Sequence, residues 1–318
     1  MSVLSKPYFH NEAEAFRFVE GVIWPQGAVC PHCGCMGRIS AIKPNAEKRV
    51  RMGLKKCGDC KKQFTVRMGT IFEESKLPMT KWLQAIYLMC SSKKGVSAHQ
   101  LGRTLEVTYK TAWFLAHRIR EAMRSGDLAP FGHGGGIVEV DETYIGVDKD
   151  TPPPANRPII GAPHKMKVVS LVDRTTGRAR SYVVDRVNQA EVAAILAANL
   201  SHEAHLMTDE AGVYKELGWN FAAHDFVLHR DKEYVRKSNP TIHTNTIEGY
   251  FSIFKRGMKG VYQHASKKHL HRYMAEFDFR YSERAALGVN DFDRFGKALA
   301  GVVGKRLTYH GPDKRPQA

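Results

Sequence analysis

The sequence predicts a multidomain chain: a small cysteine-built ribbon, a helical module, and then an α/β domain whose sheet begins with an antiparallel meander. Three observations carry this. Two Cys-x-x-Cys pairs fall within residues 28–68, helical periodicity fills residues 78–124, and short strand-like and helix-like runs alternate beyond Gly132-His-Gly-Gly-Gly136.

The 318 residues suffice for two or three domains. At 43% hydrophobic and 25% charged residues, the composition is that of a globular chain and excludes a disordered one. The 48 Lys and Arg against 32 Asp and Glu leave a formal charge of +16. That excess favours a polyanionic partner, because neutralised phosphates release counterions; the plain alternative is basicity for solubility. No apolar stretch approaches the ~20 residues of a membrane span. The N-terminal Met-Ser-Val-Leu-Ser-Lys-Pro-Tyr-Phe-His lacks an apolar signal core. The expected compartment is therefore the cytoplasm, with no membrane partner.

Cys30-Pro-His-Cys33 and Cys57-Gly-Asp-Cys60 are separated by 57 − 33 − 1 = 23 residues. In a reducing compartment such pairs point to metal rather than to disulfides. Four thiolates suit tetrahedral Zn²⁺, two from each tight turn, with the stretch between them forming the hairpin of a zinc ribbon. A redox pair would stand alone and open a helix. His32 ranks below the cysteines as a ligand, Cys35 is spare, and Cys90 sits on an apolar helix face as a core residue. Lys48, Arg49, Arg51, Lys55, Lys56, Lys61, Lys62 and Arg67 form a basic cluster, read as phosphate contacts or as a solvated face.

A short helix over 10–24, ended by Pro25 and Gly27, precedes the ribbon. After the ribbon, 78–90 reads as an apolar helix begun by proline, followed by helices over 97–105 and 109–124. Ser97 can cap the first of that pair and Thr108 the second. Ala98, Leu101 and Leu105, then Ala112, Leu115, Ile119 and Met123, make the buried stripes. Tyr109, Lys110 and Thr111 would then stand where a recognition helix meets the major groove. The alternative is an ordinary helical hairpin.

Gly132–Gly136 reads as a flexible linker and domain boundary. Beyond it, strands are expected at 137–145, 166–173 and 178–187, with a hairpin turn at Thr175-Thr-Gly177 and a loop at Thr151-Pro-Pro-Pro154. A helix at 189–200, a strand at 204–208, a short helix at 211–216 and a strand at 222–228 follow. Long helices begin near Asn245 and span 267–283. Three strands, helix, strand, helix, strand, helix is the ribonuclease H-like order.

Three acids fall at telling places in that order. Asp141 ends the apolar run from Ile137, Asp209 follows His205-Leu-Met-Thr208, and Glu248 opens the helix near Asn245. Carboxylates on strand ends and a helix can hold a pair of divalent ions ~4 Å apart for phosphoryl transfer. The separations are 209 − 141 = 68 and 248 − 209 = 39 residues. Asn245, Glu248, Ser252 and Lys255 share one helix face, while Ile247, Tyr250, Phe251 and Phe254 can pack on the sheet. Lys255 suits a phosphate contact. Glu139 shares the strand face of Asp141 and reads as a supporting group or a paired charge. Glu142 and Glu210 should point away from the aspartates beside them.

The run His243-Thr-Asn-Thr-Ile-Glu248-Gly-Tyr-Phe-Ser-Ile-Phe-Lys-Arg-Gly-Met-Lys-Gly-Val-Tyr-Gln-His264, together with Val140-Asp-Glu-Thr-Tyr-Ile-Gly146, resembles bacterial DDE-type insertion-sequence transposases of the ISXO-like group. The cysteine module and Phe64–Phe72 look like the zinc ribbon of that group, and the resemblance spans residues 12–285 or so. It implies a ribonuclease H-like catalytic domain, Mg²⁺ (or Mn²⁺), and the cutting and joining of DNA ends. Asp141 and Asp209 match the first two acids. The third place, an Asn or Glu followed by Lys, offers both Asn245 and Glu248 here, with Lys255 beyond. Glu248 is favoured because a carboxylate holds a hard cation better than an amide; Asn245 is then an auxiliary ligand or the helix cap.

The expected organisation is a zinc ribbon with its leading helix at 10–72, the helix-turn-helix-like module at 73–131, the catalytic domain at 137–285, and a C-terminal extension and tail at 286–318. The expected partners are double-stranded DNA (the terminal inverted repeats of the element and target DNA) and further copies of the chain on that DNA. Such a protein is nucleoid-associated when bound. Two other functions fit parts of the chain: a non-catalytic zinc-containing DNA-binding regulator, and a metal-dependent nuclease of the same fold.

Overall fold

A computed structural model describes residues 2–308, apart from 125, 127–128, 152–163 and 232. The expected Pro152–Pro154 loop and the tail from Gly311 lie outside the described residues. The chain divides into two compact units, Met1–Arg124 with Asn290–Ala318, and Ser125–Val289. No helix among the described residues is long and apolar enough to cross a membrane.

The first unit begins with α1 (Glu12–Ile23), capped by Asn11, whose side chain accepts the N–H groups of Ala13 and Glu14. Strands β1 (Ile39–Ala41), β2 (Lys55–Cys57) and β3 (Gln63–Phe64) form an antiparallel three-stranded sheet. Helices α2 (Met79–Ser91), α3 (Ala98–Leu105) and α4 (Tyr109–Met123) follow. Ser97 accepts from Gln100 N and Thr108 from Thr111 N, so both expected caps are in place. Between α3 and α4 the chain turns at Glu106, in the left-handed region, and Gly102 lets the turn close: a Cβ there would come 3.1 Å from Val107 O. Leu101, Leu105, Ala112, Leu115, Ile119 and Met123 are buried. Tyr109 and Lys110 are exposed at the start of α4.

Residues 290–308 group with this unit rather than forming a separate extension. Helix α9 (Asp291–Ala300) starts with a reciprocal capping box between Asn290 and Asp293 and packs on α1, α2 and α4. Its Phe295 is fully buried, stacked on Phe18 and edge-on to Tyr87.

The second unit carries a five-stranded sheet: β4 (Ile137–Ile145), β5 (Met166–Asp173), β6 (Ala179–Val184), β7 (His205–Asp209) and β8 (Ala223–Val227), in spatial order β6-β5-β4-β7-β8. β4, β5 and β6 form an antiparallel meander, while β7 and β8 run parallel to β4. This is the ribonuclease H-like sheet. One face carries α5 (Gln189–Asn199) over Val138, Val140, Leu171 and Leu206, with α6 (Gly212–Lys215) contributing Tyr214. The other face carries α7 (Asn245–Gly257) and α8 (Lys267–Ser282) over Ile145, Val168 and Val172. Ile247, Tyr250, Phe251 and Phe254 form the buried side of α7.

Gly132–Gly136, read from composition as a flexible linker, is a packed turn inside this unit. Gly132 has φ +78°, and a Cβ there would lie 2.4 Å from Ala204 Cβ. Gly132 N donates to Asp173 Oδ2 and Gly136 O accepts from His205 N, so the run is pinned at both ends, and Gly134 N donates to Glu203 between them.

Candidate functional site

In the ribbon, the two Cys-x-x-Cys segments repeat one local geometry. Cys30 N donates to Cys35 O and Cys57 N to Lys62 O, while Gly34 and Lys61, each just after a second cysteine, have positive φ. The turns bring Cys30, Cys33, Cys57 and Cys60 together, with all four sulfurs within 4.8 Å of one another. Cys30 Sγ to Cys60 Sγ and Cys33 Sγ to Cys57 Sγ are both 3.7 Å. Zn–S bonds of about 2.3 Å in a tetrahedron require sulfurs ~3.8 Å apart, so this donor set fits zinc. Trp24, Ile39, Phe64 and Met68 cover the cluster. Cys90 is buried in α2, as its apolar face indicated.

In the second unit, the parallel pairing of β4 with β7 matches Ile137 to His205 and Glu139 to Met207. The register offset is 205 − 137 = 68, the same as the 209 − 141 = 68 between Asp141 and Asp209. The two aspartates are therefore level on adjacent strands, two residues beyond the last paired position. Strand alternation puts them on the sheet face that α7 covers.

The environment of Asp141 shows which groups converge there. Burial first, then the carboxylates of Glu142, Asp209 and Glu248, push its carboxyl up to about 8, against a hydrogen bond from Glu142 N. Glu142 is also raised, by burial first and then by Asp209, although the Tyr214 hydroxyl donates to its Oε2 at 2.7 Å. Tyr144 and Tyr214 are both raised, chiefly by burial and then by these same carboxylates. Clustered acids in partly buried surroundings repel one another, and a bound cation would relieve that repulsion.

Glu248 enters from the first turn of α7. Its Oε1 lies 3.6 Å from His229 Nε2 and accepts from Thr244 Oγ1 at 3.5 Å. His229 is held in turn: its backbone N–H and that of Arg230 donate to Glu210. Glu210 thus turns away from Asp209, as strand alternation indicated. Asp209 Oδ1 itself accepts from Ala211 N at 3.0 Å.

Of the sequence-predicted residues, Asp141 and Asp209 stand level on adjacent strands, and Glu248 lies within electrostatic reach of Asp141. Asn245 is the exposed first residue of α7; the cap position belongs to Thr244, so the alternative of Asn245 as helix cap does not hold. Lys255 is exposed two turns beyond Glu248, with its Nζ 5.8 Å from the Phe251 ring. Glu142 turns to the opposite sheet face, as alternation indicated, and accepts there from the Tyr214 hydroxyl. Sequence reasoning missed His229 beside Glu248, because no local pattern marks a histidine from another element as its neighbour.

Residues 134–282 match the family model of the ISXO2-like transposase domain, and residues 10–63 match the transposase zinc-ribbon domain. A protein of Halobacterium salinarum described as an uncharacterized protein in transposable element ISH50 is 28% identical over 289 residues, 86% of this chain and 91% of that protein. Among solved structures, a simian T-cell lymphotropic virus intasome in complex with PP2A regulatory subunit B56 gamma contains a similar chain. The TM-score is 0.29 at 15% identity, over 56% of this chain and 63% of that one, under two thirds of its length. The Mos1 strand transfer complex gives a TM-score of 0.21 at 11% identity, over 65% of this chain and 78% of that one. The fold assignment rests on the strand order itself. With both domains matched in order, and together spanning more than half of its length, the chain belongs to the ISXO2-like family of DDE transposases that carry a zinc ribbon.

Proposed function

We propose that this transposase binds the ends of its insertion sequence as double-stranded DNA and catalyses metal-dependent strand cleavage and transfer. The observation that carries the reading is that Asp141, in the middle of β4 rather than at its expected end, stands level with Asp209 at the end of the parallel β7, with Glu248 at the start of α7 within electrostatic reach of Asp141. Asp141, Asp209 and Glu248 would hold Mg²⁺ or Mn²⁺, with Asn245 as an auxiliary oxygen donor. Their donor set fits: hard carboxylate oxygens, with that of Asp141 pushed up to about 8 by burial and then by the neighbouring carboxylates. When bound, such ions activate an attacking water or 3′-hydroxyl and stabilise charge on the phosphate.

The chain's own residues position the DNA. Lys255, Arg256 and Lys259 are exposed on the turns that follow Glu248 and would bind backbone phosphates flanking the scissile bond. Tyr109, Lys110 and Thr111 at the start of α4 would read the terminal repeats, and the four-cysteine ribbon would hold structural zinc beside its basic cluster. Strand transfer needs two element ends, so the working form would be an oligomer on DNA.

The test is a nicking and joining assay on the element's own ends with Mg²⁺ or Mn²⁺. Asp141→Asn and Asp209→Asn should each lower the rate by at least about 10²-fold while DNA affinity persists. Undiminished cleavage in both variants would sink the assignment. Cleavage without joined products would favour a nuclease.

A further inference from the structure

Glu139 is fully buried, 0% exposed, in the middle of β4. A carboxylate there is costly unless it is paired and hydrogen-bonded. Its Oε2 accepts the backbone N–H of Ile247 at 2.7 Å, in the first turn of α7, where helix N–H groups have no partner within the helix. Its Oε1 accepts from Arg174 Nε at 2.5 Å. Arg174 reaches on to the segment before α7: Nη1 donates to Thr241 O at 2.7 Å and Nη2 to His243 O at 2.5 Å. The backbone N–H of Arg174 donates to Ile137 O, which ties this residue to β4 as well.

From these contacts we infer that Glu139 is a positioning residue of the acidic site, the strut that sets α7, and with it Glu248, against Asp141. The inference rests on the proposed metal-binding role of the acids. Glu139 lies two residues before Asp141 on one strand face, and its hydrogen-bond partner Ile247 directly precedes Glu248. One short stretch of β4 therefore supplies an acid of the site and fixes the helix that brings another. An apolar residue could fill the same space, but it could not fix the height of the helix start. The negative charge also suits the positive end of the helix dipole. Arg174 balances that charge and holds Thr241–His243, so the approach to α7 and its first turn are gripped together.

The test uses the full-length protein carrying Glu139→Gln and, separately, Glu139→Asp. The first removes the charge. The second keeps the charge for Arg174 but draws the carboxylate back by one methylene from Ile247. Amide hydrogen exchange at Ile247 in the metal-free protein reads the anchor, and Mn²⁺ binding without DNA, followed by paramagnetic resonance, reads the site. We expect faster exchange at Ile247 and a Mn²⁺ affinity lower by about 10- to 100-fold, the range for groups that orient metal ligands. Nicking should recover at high Mn²⁺. Unchanged exchange in both variants, or faster exchange with unchanged Mn²⁺ affinity, overturns the positioning role. Asp141→Asn and Asp209→Asn separate the two ideas. If they bind Mn²⁺ as wild type does, the metal reading of the acids fails whatever Glu139 does; if they lose Mn²⁺ while both Glu139 variants keep it, only the positioning role fails.

Discussion

Asp141 and Asp209 stand level on β4 and β7 because their separation in sequence equals the register offset of the two strands, 68 residues. Everything between them, the β5–β6 meander and α5, leaves that offset intact. A one-residue slip of β7 would turn Asp209 to the opposite face. The pairing register is thus the structural condition of the site.

Asp141→Asn should raise the melting temperature of the metal-free protein, since it removes one of several mutually repelling, partly buried carboxylates. Mg²⁺ should raise the melting temperature of the wild type by mass action and leave the variant nearly unmoved. Calorimetric melts with and without Mg²⁺ check both; a variant less stable than wild type in EDTA contradicts the repulsion.

Glu248 and Asn245 can be told apart as the third ligand. Glu248 lies in the electrostatic reach of Asp141, whereas Asn245 is exposed at the start of α7. Glu248→Gln should lower cleavage by about 10²-fold or more, and Asn245→Ala by less than tenfold. The reverse order in a single-turnover assay would reassign the site.

One zinc per chain should be found by atomic absorption, lost in Cys57→Ser and kept in Cys35→Ser, because Cys35 is outside the four-sulfur cluster. Ligand loss should also open the ribbon to proteolysis, since metal binding and folding are coupled in so small a module. Loss of zinc from the Cys35 variant would redraw the ligand set.

Asp278 gives a pH signature away from the acidic site. Burial lifts its carboxyl from 3.8 to about 6, opposed by hydrogen bonds from the Tyr250 and Ser181 hydroxyls and from Ser181 N. The folded state then holds a proton that the unfolded chain has released. The stability from this group is fully present below about 4 and is lost as pH rises through 6. Asp278→Asn should lack this component. Melting curves from pH 4 to 7 that stay parallel for wild type and variant would contradict it.

Lys255→Ala should weaken DNA binding evenly across sequences and lower the slope of log affinity against log salt by about 1, as expected for one phosphate contact. Its side chain is exposed, so the melting temperature should hold. An unchanged salt slope would remove Lys255 from the interface.

Much of this protein follows from local pattern. Strands at 137–145 and 166–173 occur where the apolar runs put them, and α3 and α4 begin at the expected Ser97 and Thr108 caps. Periodicity and capping are properties of neighbouring residues, so the sequence alone determined the elements, their order and the amphipathic face of α7. The four-cysteine cluster was equally legible, because each pair closes its own turn.

Tertiary structure decided what depends on residues distant in the chain. The return of α9 to the first unit is such a case: Asn290 and Asp293 announce a helix but not its destination. Gly132–Gly136 has the composition of a linker, yet the close approach of Ala204 makes it a turn in which a Cβ has no room at Gly132. Glu139 is the clearest instance. Strand alternation shows its face, while its partners Arg174 and Ile247 stand 35 and 108 residues away. Whether a buried acid is a liability or a strut depends on the donors that meet it, and only the folded sheet and helix bring those donors into reach.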